Sequence, residues 1–326
     1  MSDAIPVISV GDFLARRRGA RDALAREIHD ALTGVGFFLL VDHDIPAELI
    51  ARTFAEAAQF HAQPLAAKLA LRFNEHNNGY MVMGRYAVQT TDLNDNDKGD
   101  LHEAFLIKRE RPADDPLLLS GRRFVGPNVW PDERALPGFR AHMLTYCATL
   151  DRFGRRLLPA VATALDLPPD WFDEAFIDSQ FTLRLSHYPP VDAEPNQFGI
   201  APHTDSNFMT FLPQSGVPGL QLLVPSGEWI DVPHIPGSFA VNSGDMLHRW
   251  SNARFKSTPH RVLPPKSRDR YAIPFFLGPR FDQLIECLPS CTGPGDPPRW
   301  QPIRYGDWTT YWNDANYDRK LQQDVA

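Results

Sequence analysis

The 326-residue sequence lacks several features that would have fixed its class at once. It has no apolar run of about 18 residues, the length that spans a membrane. It shows no charged-then-apolar leader ending in small residues, so the expectation is a cytoplasmic protein with no membrane partner. Basic charge is not in excess: 33 Lys and Arg against 40 Asp and Glu give a formal charge of −7 and no electrostatic footprint for nucleic acid. The groups Arg16-Arg17-Arg18 and Arg152, Arg155 and Arg156 read as solvated helix faces. Only three cysteines occur, Cys147, Cys287 and Cys291, an odd number without CxxC spacing; this suits a reducing compartment and incidental thiols. Internal repeats, low-complexity tracts and the HExxH helix of a zinc hydrolase are missing too.

What is present is enough for a sizeable core. The chain is 43% hydrophobic and 22% charged, as expected of one globular domain or one elaborated domain. Leu24, Ile28, Ala31 and Leu32 recur at helical spacing up to Gly34, and Val35 to Val41 follows as an apolar strand. Ile50, Phe54, Ala57 and Phe60 mark a second helix stopped by Pro64. The longest helical stripe runs through Phe139, Met143, Tyr146, Leu150, Phe153 and Leu157 and predicts a helix buried behind a sheet. From Gln180 to Phe276 the pattern becomes short β-rich runs broken by Pro, Gly and Asn, the pattern of a jelly-roll or cupin-like barrel. The expected fold is therefore α+β with a mainly β core: a double-stranded β-helix with N-terminal helices and a long backing helix. An N-terminal module, 1–125, and a barrel with its C-terminal helical segment, 126–326, are expected to form one structural unit.

The chemistry is concentrated in His203-Thr204-Asp205, His260 and Arg270. Two imidazoles and one carboxylate on one face of an ion leave three positions open, the arrangement used by non-haem Fe(II) oxygenases. Residues i and i+2 of a strand point the same way, so a strand ending here can aim His203 and Asp205 at one metal. The gap before His260 has room for several strands. Pro264-Pro265 supplies the turn that would fold Arg270 back to the same pocket, where its planar guanidinium suits a carboxylate.

Taken with these residues, further blocks resemble the iron(II)/2-oxoglutarate-dependent oxygenases of the isopenicillin-N-synthase-like family along nearly the whole chain. They are Ile5-Pro6-Val7-Ile8, Gly36 to His43, Leu183-Arg184-Leu185-Ser186-His187-Tyr188-Pro189-Pro190, Gly244-Asp245-Met246-Leu247, Trp250-Ser251-Asn252 and Ser257 to Val262. The resemblance implies Fe(II) on His203, Asp205 and His260, and 2-oxoglutarate with its far carboxylate on Arg270 and Tyr188. It implies O2 as co-substrate, and succinate and CO2 formed while a small-molecule metabolite is hydroxylated, desaturated or cyclised. In the family the segment before the barrel and the residue shortly after the HxD line the substrate side, which points to Tyr80, Met81, Met83, Arg85 and Phe208, with Phe276 and Trp250. The chain departs from the family pattern twice. Ala272 replaces the serine two positions after the arginine, and Ser186 replaces an asparagine two positions before the tyrosine, beside the co-substrate.

Other features receive plainer readings. His248 lies between the same elements as the ligands and reads as a pocket-side or surface residue, and His187 must face away from Tyr188 by strand alternation. His102 reads as packing or surface, with entry into the active-site mouth from the N-terminal module as the alternative. Asp92 to Asp100 looks like a calcium loop only on the surface, because the glycine is misplaced for an EF-hand, and it reads as a solvated loop. Tyr305, Trp308, Tyr311 and Trp312 are spaced like one helix face that packs on the barrel or caps its mouth. The oligomeric state is expected to be monomer or homodimer. Alternatives are an oxidase of the same fold that uses no 2-oxoglutarate, an ethylene-forming fragmentation of 2-oxoglutarate, and a non-catalytic binding module or hydrolase.

Overall fold

The computed structural model describes residues 3–86, 88, 91–93 and 98–316. In chain order its strands are β1 (Val7–Ser9), β2 (Phe37–Val41), β3 (Gly79–Met81), β4 (Glu103–Lys108), β5 (Gln180–Tyr188), β6 (Ile200–His203), β7 (Met209–Pro213), β8 (Leu220–Leu223), β9 (Trp229–Asp231), β10 (Phe239–Ser243), β11 (His260–Val262), β12 (Arg270–Ala272), β13 (Phe275–Gly278), β14 (Leu284–Ile285) and β15 (Ile303–Arg304). Its helices are α1 (Gly11–Leu14), α2 (Ala20–Gly34), α3 (Ala47–His61), α4 (Leu65–Leu69), α5 (Pro116–Leu119), α6 (Phe139–Ala164), α7 (Asp245–Trp250) and α8 (Tyr305–Asn316).

The larger sheet runs β1-β2-β10-β7-β13-β5-β4-β3, with β12 also on β5; the smaller runs β6-β11-β8-β9. Together they make the double-stranded β-helix. Strands from both ends of the chain share the larger sheet, since β1 to β4 lie in it beside β5, β7, β10 and β13.

One alternation organises the molecule. Along β5, Phe181, Leu183 and Leu185 join the apolar core shared with the helices, while Thr182, Arg184, Ser186 and Tyr188 line the inside of the barrel. β4 repeats the pattern with Phe105 and Ile107 outward and Leu106 and Lys108 inward, and β13 with Phe275 and Leu277 outward and Phe276 inward. A strand buried on both faces puts apolar residues on the helix side and leaves the other face free for chemistry.

The helix layer explains the long stripe. Phe139, Met143, Tyr146, Leu150, Phe153 and Leu157 are all buried on α6, which packs against α2, α3 and β13. At Gly154 the helix comes so near the sheet that an added Cβ would lie 2.6 Å from Leu277 Cδ2. The helix extends past the last residue of the stripe, through Pro159 to Ala164, because Ala160, Val161 and Ala164 are buried there and offset the lost N–H. The arginines at 16–18, 152, 155 and 156 are exposed.

Two loop features differ from the sequence reading. Residues 94–97 of the calcium-like stretch lie outside the described residues, but Asp100 is buried, not solvated, and accepts from the Ala201 amide at 2.9 Å. The segment 263–269, with Pro264-Pro265, carries the chain from β11 in the smaller sheet to β12 in the larger, where Arg270 pairs in register with Tyr188.

Candidate active site

His203 ends β6 and His260 begins β11, and the two are direct partners across these antiparallel strands, with ring centroids 4.2 Å apart. Each Nδ1 faces a carbonyl: His203 donates to Ala201 O at 2.8 Å and His260 to Thr258 O at 3.1 Å. A carbonyl can only accept, so the proton sits on Nδ1 and the Nε2 lone pair is left for a metal. Asp205 follows two residues later, its Oδ1 3.7 Å from His260 Nε2. Its other oxygen, Oδ2, accepts from Thr210 Oγ1 at 2.6 Å and Asn242 Nδ2 at 2.8 Å, which fixes the carboxylate and turns Oδ1 inward. Ligand atoms of the three residues lie within 4.8 Å of one another.

The electrostatics favour a divalent ion. Burial, followed by the neighbouring His260, lowers the His203 pKa, so the ring is neutral. Burial works to raise Asp205, but His260, His203 and the hydrogen bonds from Asn242 and Thr210 outweigh it, and the carboxyl titrates below its ordinary range. Two imidazoles and a carboxylate, each braced from behind, fit Fe(II). The turn beneath them is tight: a Cβ on Gly244 would stand 2.2 Å from Asn207 O and 2.8 Å from Asp205 O, both backbone atoms.

Arg270, Tyr188 and Ser186 line the same cavity as His203, Asp205 and His260. Arg270 is 3% exposed, its Cζ lies 4.8 Å from the centre of the Tyr188 ring, and its Nη1 has no hydrogen-bond partner. Ser186 Oγ is likewise buried without a partner. Buried polar atoms are ordinarily paired, so two orphans in one cavity mark the place of a polar ligand. Burial also pulls the Arg270 pKa below its ordinary value, a cost that an incoming carboxylate would offset.

A second cavity opens beside this one, sharing His203, Asp205, Arg184 and Phe276 with it. Of the residues expected on the substrate side, Met81 and Phe276 line it. The others do not. Phe208 is fully buried against Phe172 and Phe176, whereas the preceding Asp205, Ser206 and Asn207 line the cavity. Trp250 packs in the same aromatic cluster, its ring 5.1 Å from Phe172. Tyr80 alternates with Met81 and points its hydroxyl at Glu103. Met83 is exposed and Arg85 half-buried, and neither is among the residues lining this cavity.

Sequence reading missed Arg184, which lines both cavities, and Lys108, Arg109 and Arg111, which line the outer one. The inward positions of β5, counted back from Tyr188, would have found Arg184. His102 is no surface residue: it stacks on Tyr188 with ring centroids 5.4 Å apart, donates from Nδ1 to Gly199 O at 2.9 Å, and meets Arg184 Nη2 with its Nε2. The C-terminal helix forms part of the wall through Tyr305, Thr309, Trp312 and Asn313. Trp308 ties it to the metal turn by donating to Ser206 O at 2.9 Å, and Tyr311, 64% exposed, faces away. His248 lies elsewhere, with Nδ1 on Phe255 O and its ring against Trp300.

His187 turns away from Tyr188 into a second cluster with His61 and Glu103. Glu103 already accepts from Lys68 Nζ at 2.8 Å and from Tyr80, and His187 bridges it to Asp269 with 2.8 Å contacts on both ring nitrogens. The ammonium meets the carboxylate's charge, and the cluster ties α3, α4, β4 and β5 together.

The comparisons agree with this geometry. The model of the 2OG-Fe(II) oxygenase superfamily matches residues 179–279, and that of the N-terminal region of the non-haem dioxygenase in morphine synthesis matches residues 5–133. The chain is 34% identical over 313 residues to the 2-oxoglutarate-Fe(II) type oxidoreductase hxnY of Emericella nidulans, covering 93% of this chain and 88% of that one. It is 35% identical over 282 residues to kihadalactone A synthase LFS of Citrus sinensis, covering 84% and 82%. Among solved structures, a full-length Neurospora crassa protein crystallised in complex with alpha-KG and thymine superposes with a TM-score of 0.83 at 28% identity, covering 98% of this chain and 97% of that one.

Proposed function

The chain belongs to the 2OG-Fe(II) oxygenase superfamily, and on that premise we propose that His203, Asp205 and His260 hold the iron while Arg270, Tyr188 and Ser186 hold 2-oxoglutarate. The protein is a non-haem Fe(II)/2-oxoglutarate-dependent dioxygenase, an oxidoreductase that uses Fe(II), 2-oxoglutarate and O2. The observation that carries the residue assignment is the convergence of three braced ligand atoms with the unpartnered Nη1 of Arg270 and Oγ of Ser186 in one cavity.

Fe(II) and 2-oxoglutarate, when bound, supply the activation of O2, with oxidative decarboxylation of 2-oxoglutarate to succinate and CO2 and oxidation of a substrate C–H bond. The protein's part is placement. His203 and His260 present lone pairs because their Nδ1 protons are held by carbonyls, and Asp205 presents Oδ1 because Thr210 and Asn242 hold Oδ2. Arg270, resting on the Tyr188 ring, offers its Nη1 proton to the far carboxylate, and Ser186 adds a hydroxyl. Phe276, shared by both cavities, and Met81 on the outer wall exclude water from the space beside the iron, where the substrate carbon must sit.

The substrate in this reading is a small molecule. The outer cavity is a walled pocket, and the structural neighbour from Neurospora crassa was solved with thymine. Among the described residues no helix is long and apolar enough to cross a membrane. The three cysteines are free, which supports a reducing, cytoplasmic setting. Segments 1–125 and 126–326 act as one unit in this reading, because β4 and β5 are paired neighbours in one substrate wall.

The test is succinate formation by Fe(II) protein loaded without air and then given 2-oxoglutarate and O2, with a panel of metabolites added in turn and headspace ethylene followed in the same vial. Succinate that rises with one metabolite is the expected result. No 2-oxoglutarate consumption under any addition, with iron bound, would overturn the assignment of Arg270 in favour of an oxidase that draws all electrons from its substrate.

A further inference from the structure

We infer that the outer cavity selects a small organic acid, whose carboxylate is anchored by Lys108 with Arg184 as a second donor nearer the iron ligands. The inference rests on reading the adjoining site as an oxygenase centre. Four cations reach this cavity. Two are already neutralised: Arg109 Nη2 lies 3.0 Å from Asp151, and Arg111 lies 2.9 Å from Asp115 and 2.5 Å from Asp178. Lys108 and Arg184 have no carboxylate within ion-pair distance among the described residues. Lys108 Nζ donates to Thr182 Oγ1 at 2.8 Å, and Arg184 directs Nη2 at His102 and leaves Nε without a partner although the residue is only 8% exposed.

The register brings the two together. Lys108 pairs with Thr182 and Leu106 with Arg184, so both cations stand on the inward face of β4 and β5 as diagonal neighbours, about 7 Å apart at Cβ for such a pair. A carboxylate held between two long side chains can accept from both. Asp100 acts on Arg184 electrostatically without reaching ion-pair distance, and burial pulls the Lys108 ammonium down to about 8, so an anion at this point would be stabilised. Arg184 is preset for the task. His102 is neutral, because burial and then the charge of Arg184 push its pKa well down, and its Nε2 accepts from the guanidinium while Nδ1 is spent on Gly199. His102 is thus a positioning residue. Phe124, Phe276, Phe281 and Trp312 add apolar surface beside polar residues such as Asn77, Gln180 and Asn313, and suit a flat or hydrocarbon body.

The test is calorimetric titration of the full-length Fe(II) protein, kept without air and saturated with 2-oxoglutarate, with benzoate, phenylacetate and cinnamate and with the amide of each. At least one acid should bind about tenfold or more tightly than its amide, the loss expected for a charge-assisted hydrogen bond. Lys108→Gln and Arg184→Gln should each abolish that preference, and Lys108→Arg should keep it, which separates loss of charge from loss of fold. Absence of any acid preference, or a preference that survives Lys108→Gln, overturns the proposal. Uptake of iron and 2-oxoglutarate is titrated separately. Failure there strikes the oxygenase assignment, while the acid and amide comparison, repeated on metal-free protein, still decides the anion site.

Discussion

Ser186 and Ala272 stand opposite one another across β5 and β12, paired Cα to Cα two residues along from the Tyr188 and Arg270 pair. The hydroxyl missing from the strand after Arg270 is therefore present on the strand facing it, buried and unpartnered. Ser186→Ala should raise the KM for 2-oxoglutarate about fivefold with little change in kcat, the worth of one hydrogen bond of roughly 1 kcal/mol. Adding Ala272→Ser should restore most of it. Steady-state succinate assays decide the matter, and an unchanged KM in the single variant would show that the hydroxyl is idle.

Arg270 should tolerate no substitution. Arg270→Lys keeps the charge but loses the planar fork and the stacking on Tyr188, so the KM for 2-oxoglutarate should rise at least about tenfold. Arg270→Gln should raise it about a hundredfold or more, because the charge pairing goes as well. The same variants should leave iron content unchanged, as measured by elemental analysis.

Two changes should act on the metal instead. Asp205→Asn keeps the shape of the ligand and removes its charge; iron content and turnover should both collapse while the metal-free fold persists. Gly244→Ala places a methyl against two backbone oxygens of the turn that carries Asp205, so it should weaken iron binding by about tenfold or more through displacement of the ligand. Retained iron affinity in Gly244→Ala would mean that the turn can yield.

The cluster behind β5 should make stability depend on pH. Burial alone would lower His187, but its hydrogen bonds to Glu103 and Asp269 outweigh that and its pKa is raised. Its contribution is thus fully present below about pH 6.5 and is lost as pH rises through the raised value. Burial alone would raise Glu103, but His187, His61 and Lys68 hold it far below the ordinary carboxylate range, so its share is present above about pH 4.5 and is lost in acid. Metal-free His187→Asn should therefore melt furthest below the wild type near pH 6 and closer to it at pH 9. A gap that widens with rising pH would contradict this account.

That His203, Asp205 and His260 come together with Arg270 in one cavity was legible because they combine rare residue types with strand periodicity, and periodicity also gave α2, α3 and α6. The substrate wall was not, for a physical reason. Tyr80 and Met81 are neighbours that alternation sends to opposite sides, and only the register of the sheet says which one faces inward; Asn207 and Phe208 are parted by the bend before β7, which carries no periodic signal. Lys108 and Arg184 lie far apart in sequence and gain their meaning from pairing β4 with β5 and from the carboxylates that neutralise Arg109 and Arg111 but not them. His102 looked like packing because its partners come from β5 and from the backbone near β6.

His203 and His260 belong to the smaller sheet, whereas the groups that brace Asp205, Thr210 on β7 and Asn242 on β10, belong to the larger. An ion held by all three ligands is thus a rivet through both walls of the barrel. Chelation should loosen β6 and β11 before anything else, and amide exchange in these two strands should report the iron's departure while the helices behind the larger sheet stay protected.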